Sequence, residues 1–220
     1  LSRYHTSASK IRVIHQAAAD IFHHQPLPSK DAVRRTVTLG YVGWTGETKG
    51  SHILVEVINR LSQSQVTFSF KWVTHPASIE QLISSLSPLA RLKVDFIPWM
   101  AQEELVSLLD SCDVFVFPSL FEGFGKAALE AMVRGLCVVV GSGVGMRDLI
   151  THDKNGLIVP SGDTNALFEI LYQLLEHPER ISVLQYEAQK STRQRYTWER
   201  VAAETVKFYE DLAAVKWSKS

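Results

Sequence analysis

The 220-residue sequence predicts an α/β domain built on a doubly wound parallel sheet. Three observations carry that prediction. Short runs rich in Val, Ile and Phe end in Gly, Pro or polar residues, as buried strands do. Longer segments with apolar residues at helical spacing lie between them. The two kinds alternate through most of the chain. Such alternation implies right-handed crossovers, hence parallel strands with helices on both faces, in a Rossmann-like layout.

Taken in order, "IRVI" (11–14) is strand-like and "HHQPLPSKD" (23–31) reads as a polar linker containing proline. Residues 1–30 are therefore a connection with one strand, and residues 31–196 the sheet domain. Strands are expected at 37–43, 66–73, 92–97, 113–118, 136–141 and 156–160, and helices at 49–63, 77–86, 101–111 and 125–135. In the first of these helices Ile53, Val57, Ile58 and Leu61 share one face. "DVFVFP" (113–118) and "LCVVVG" (136–141) are apolar nearly throughout, as central strands covered on both faces should be. After the sheet the chain turns helical at 165–178, 179–196 and 197–215. The last of these, capped by Thr197, forms a closing unit over 197–220.

Composition narrows the function classes. An apolar share of 45% and a charged share of 21% are those of an ordinary globular protein. Lys+Arg and Asp+Glu both number 23 and no basic run stands out, which argues against nucleic acid as a partner. No apolar stretch approaches the roughly 20 residues of a membrane span, and a cytoplasmic setting is expected. Cys112 and Cys137 lie in or beside apolar runs without CxxC spacing, so both read as reduced core residues rather than metal ligands.

Two predicted loops at strand ends are rich in glycine: "GYVGWTGETKG" (40–50) and the turn within "PSLFEGFGKAALEA" (118–131). Gly123 and Gly125 carry no Cβ and permit close approach to a ligand. The helix beginning there points its unpaired N–H groups and positive dipole end into the same space, an arrangement that favours phosphate. Lys49 adds a cation, giving a diphosphate site without an obligatory metal. Glu122 precedes the turn and Glu130 follows it within the helix. Carboxylates accept paired hydrogen bonds, and the vicinal diols of a ribose and a hexose donate them. Plainer readings stand beside this one. The glycines suit any tight turn, Glu130 has Lys126 and Arg134 four residues away on its own helix face, and Lys49 would be at home in solvent.

"PSLFEGFGKAALEAMVRGLCVVV" resembles the Glu-x7-Glu signature of retaining GT-B glycosyltransferases. "GYVGWTGETKGSHIL" is similar to that family's first glycine loop, "VDFIPWMAQEELVSLLDSCDVFVFPS" to the segment leading into the signature, and "DKNGLIVPSGD" and "YTWERVAAETVKFYEDL" to later pieces. The resemblance covers residues 11–215. It implies one half of a GT-B fold: the second of two Rossmann-like domains, binding a UDP-, GDP- or ADP-sugar. A saccharide, lipid or small-molecule acceptor would be held by an absent N-terminal domain, through which any peripheral membrane contact would also come. No metal or other cofactor is implied. Carried over by position, Glu122 binds hydroxyls of the transferred sugar, and the backbone of Gly123, Phe124 and Gly125 meets sugar and diphosphate. Glu130 takes the ribose diol and Lys49 the distal phosphate. Gly43 and Trp44 line the first loop, and Pro98 and Trp99 border the base. Glu122 and Lys49 are the residues expected to carry catalysis.

The sequence departs from the family pattern in places. Trp44 stands where an arginine is usual, "VTHPA" (73–77) replaces a glycine turn, Lys126 and Ala127 replace Leu and Pro, Val144 replaces a glycine, and Asp148 replaces a glutamate. Trp44 favours an alternative, a non-catalytic binding module that has kept the fold. A dinucleotide-dependent oxidoreductase fits less well. The first loop lacks Gly-x-Gly-x-x-Gly, and Thr74 and His75 stand where a ribose-binding acid belongs.

Overall fold

The computed structural model describes residues 11–25, 27, 36–143 and 145–217. Six strands form one sheet: β1 (Val37–Val42), β2 (Phe68–Thr74), β3 (Val94–Pro98), β4 (Val114–Phe117), β5 (Cys137–Gly141) and β6 (Leu157–Val159). Their order is β3-β2-β1-β4-β5-β6, with every pairing parallel. The α/β fold read from the sequence is the one observed. Every residue of β4 and β5 is buried, because helices cover both faces of the sheet.

The helices are α1 (Asp20–His24), α2 (Ser51–Gln63), α3 (Pro76–Ser85), α4 (Pro88–Arg91), α5 (Gln102–Asp110), α6 (Lys126–Val133), α7 (Met146–Leu149), α8 (Thr164–Glu176), α9 (Glu179–Thr192) and α10 (Trp198–Trp217). Local chemistry sets several of their starts. The Asp163 carboxylate accepts from Ala166 N–H at 2.9 Å to cap α8, and Pro76 occupies the first turn of α3 behind His75. In α2, Ile53, Leu54, Val57, Ile58 and Leu61 are buried, the face its spacing predicts. Both cysteines are buried in the core, and no disulfide joins them.

The N-terminal expectation is corrected. Residues 11–14 form no strand: the described sheet ends at β3 and β6, and Val13 is exposed with no ladder to join. The first residues of the expected linker belong instead to α1, whose Phe22 is fully buried. Arg134, at the end of α6, holds that helix. Its Nη1 donates to the carbonyls of Phe22 and Gln25, while Nε and Nη2 grip Asp110 at 2.8 and 2.6 Å. Pro26 and residues 28–31 of that linker, and residues 32–35 after it, lie outside the described residues.

Candidate functional site

Strand order reverses between β1 and β4, and in open α/β sheets ligands gather at the carboxyl ends of the strands beside such a reversal. The two loops that leave those strands are the glycine-rich ones, and they are bound to each other. Leu120 N–H and the Ser119 hydroxyl both reach the Thr48 carbonyl, at 2.8 and 2.9 Å. Gly50 has φ +69°, and a Cβ there would lie 2.4 Å from the Pro118 carbonyl oxygen.

Lys49 and Glu122 meet across this seam. Lys49 Nζ is ion-paired with Glu122 Oε1, and the Ser119 hydroxyl lies 2.9 Å from the same oxygen. The lysine also sits over the Phe117 ring. The two residues named for catalysis are thus partners of each other, 73 positions apart in sequence.

Gly125 and Gly123 differ in what the fold demands of them. Gly125 caps α6 with φ +81°, and a Cβ there would overlap the Met146 methyl group. At Gly123 a Cβ would meet nothing within 4 Å. The loop after β5 supports this turn from behind. Gly145 N–H donates to the Glu122 carbonyl at 3.1 Å, and a Cβ on Gly145 would lie 2.4 Å from the Gly123 carbonyl oxygen. Val144 lies outside the described residues. Ser119 and this third loop complete the site. The glycine spacing of "GSGVG" (141–145) was the only sequence sign of the loop, and nothing in the sequence marked Ser119.

Glu130 lies in the second turn of α6 and is 8% exposed. Arg134 belongs to Asp110 and α1, so it does not serve Glu130. Lys126 Nζ is 3.9 Å from Glu130 Oε1, close enough for attraction but too far for a hydrogen bond. Among the described residues, no hydrogen-bond donor reaches the carboxylate. Burial pushes the carboxyl up to about 7, with Lys126 opposing.

At the far side of the first loop, Trp44 is more than half exposed and stacks on His75 with centroids 5.1 Å apart and 15° between planes. Trp99, following Pro98 at the end of β3, closes on Trp44 at 5.7 Å. Gly43 N–H continues the sheet by donating to the Val73 carbonyl. The buried Tyr41 phenol donates to the Trp44 carbonyl at 3.1 Å, and burial together with the Glu122 charge raises its pKa.

The family model described as glycosyl transferases group 1 matches residues 36–177. The chain belongs to that family. This group 1 domain is 32% identical over 185 residues to the D-inositol 3-phosphate glycosyltransferase of Corynebacterium urealyticum, an alignment covering 79% of this chain and 43% of that protein. It thus spans less than half the length of that curated relative. Among solved structures it is similar to sucrose-phosphate synthase from Thermosynechococcus elongatus, with TM-score 0.77, 24% identity and coverage of 93% of this chain and 53% of that one. It is also similar to Anabaena HepE in complex with UDP and glucose, with TM-score 0.67, 23% identity and coverage of 81% and 48%. Both likenesses bear on the fold. No described helix of this group 1 domain is long and apolar enough to cross a membrane.

Proposed function

We propose that the chain is the nucleotide-sugar-binding half of a retaining hexosyltransferase. Glu130 carries the reading. A buried carboxylate without donors is costly, and a ribose diol supplies two donors at once. Gly123 supports the same conclusion, since its missing side chain answers to nothing inside the protein. The structure of HepE with UDP and glucose supports a nucleoside-diphosphate sugar as donor.

In this reading the diphosphate meets the first N–H groups of α6 and Lys49. Its arrival draws Lys49 from Glu122, which frees the carboxylate to take hydroxyls of the sugar. The C1–O bond then breaks with oxocarbenium character, its electron pair passing to the diphosphate oxygen. Lys49 and the helix end stabilise the charge that develops there, so no metal enters. The acceptor is held by a second lobe. Alone, the chain binds donor but transfers nothing, because the proximity contribution, up to ~7–11 kcal/mol, is missing.

Calorimetric titration of UDP, GDP and ADP into wild type and Glu130→Ala tests the reading. Losing hydrogen bonds to a charged acceptor costs about 1.5–3 kcal/mol, or roughly tenfold to a hundredfold in affinity. Equal affinities would remove Glu130 from the site. A non-catalytic module is favoured by two observations, Trp44 in place of an arginine and Lys49 already neutralised by Glu122. Failure of all three nucleotides to bind wild type would select it.

A further inference from the structure

Where the N-terminal segment meets the start of α10 there is a cavity of about 160 Å³, lined by His15, Arg195, Tyr196, Arg200, Val201 and Glu204. Its charges do not balance. Two guanidinium groups face one carboxylate, and that carboxylate accepts from Arg200 Nε at 3.0 Å. The Thr197 hydroxyl, at the start of α10, accepts from Arg200 N–H at 3.4 Å. Arg195 has no carboxylate partner among the described residues. Its guanidinium lies over the Tyr196 ring at 5.4 Å, which orients it without neutralising it.

Exposed arginines on a helix usually face water and need no ligand. The walls of this cavity set it apart. Tyr196 is buried and its hydroxyl donates to the Asp148 carbonyl at 3.4 Å. His15 packs edge-on to Tyr196 at 6.1 Å and stacks on Phe124 at 5.6 Å, with 24° between planes. Unpaired positive charge therefore lines a concave space with an aromatic wall fixed by packing.

We propose that this cavity binds a phosphate monoester. The planar fork of Arg195 matches two phosphate oxygens, and Arg200 shares its remaining N–H groups between Glu204 and the ligand. The volume suits one phosphate with a few bridging waters at about 30 Å³ each, and is below the ~300 Å³ typical of pockets for larger ligands. None of the six lining residues belongs to the donor site, and the proposal does not depend on the donor reading. The two sites touch at Phe124, however, on which both His15 and Tyr196 pack, at 5.6 and 5.9 Å. His15 walls the cavity and also stacks on Phe124 of the signature loop, so occupancy is felt at that ring.

The phosphate can come from a soluble sugar phosphate or a lipid headgroup. The test titrates glucose 6-phosphate, with glucose as control at matched ionic strength, and sediments the protein with phosphatidylcholine vesicles with and without phosphatidic acid. At least one phosphate carrier should bind wild type, and the carrier that binds identifies the source. Arg195→Gln should lower its affinity roughly tenfold at an unchanged unfolding midpoint, with Arg195→Lys intermediate. Ring resonances of His15 and Phe124 should shift on binding to wild type. Absence of binding by both carriers at millimolar concentration, or binding that Arg195→Gln and Arg200→Gln leave unchanged, would overturn the proposal.

Discussion

Glu122 and Glu130 stand eight positions apart, on either side of one glycine turn, yet the protein treats them in opposite ways. Glu122 lies in a loop, where the backbone of Gly145 and the side chains of Lys49 and Ser119 converge on it. Its charge is paired within the chain. Glu130 lies on a helix whose other buried residues, Ala128, Leu129, Ala131, Met132 and Val133, bring no donors, and burial pushes its carboxyl toward neutrality. An acid that is satisfied at rest must exchange partners to bind a ligand. One without a donor in the protein has no such partner to give up. The difference predicts which acid contributes most to affinity and which one responds to pH.

The sharpest break in the comparison is Glu130→Gln. Folding raises this carboxyl from 4.5 to about 7, so the folded state holds a proton that the unfolded state has released. Stability therefore falls as pH rises through that window and stays reduced above it. The amide removes the penalty. Denaturant unfolding should show Glu130→Gln more stable than wild type by about 1–3 kcal/mol at pH 8 and nearly equal at pH 4.5. Nucleotide binding should respond with the opposite sign. The ionised carboxylate is the better acceptor, so wild-type affinity should fall more steeply than that of Glu130→Gln as pH drops below about 7, the phosphate's own titration being common to both. Parallel profiles would place the ribose elsewhere.

Lys49→Ala probes the other acid. Removing the lysine should weaken a nucleoside diphosphate several-fold while sparing the nucleoside, measured as paired titrations on one variant. Uniform loss for both ligands would show that the lysine serves only to hold Glu122 in place. The smallest expected effect is that of Trp44→Arg. It adds a phosphate cation but removes the stack on His75, so diphosphate affinity should rise only a few-fold. An unchanged affinity would show that the Trp44, His75 and Trp99 cluster lies away from the diphosphate.

What the sequence made legible follows from the range of each interaction. Periodicity is local, so all six strands of the sheet and the long helices could be read from it. The turn at Gly123–Gly125 was legible for the same reason, because its glycines and the helix behind it are contiguous. The fate of residues 11–25 was not, because α1 depends on Arg134, more than a hundred positions away. Four-residue α4 and α7 are too short to show a period. Within the site, both Lys49 and Glu122 were expected at strand ends, but that they pair depends on how the two loops pack. Arg134 showed the same limit from the other direction: its place four residues after Glu130 suggested a partner that the fold had assigned to Asp110.

The fit of Gly125 beneath Met146 also bears on how such a chain can change over time. The turn before α6 and the short helix α7 share one volume. A side chain at 125 would have to push the Met146 methyl group aside, and it would still sit at φ +81°, a conformation side chains other than glycine rarely accept. Trimming Met146 would ease the first demand at the cost of a void in the core and leave the second untouched. The shape of the loop is thus tied to glycine at 125, whatever stands at 146.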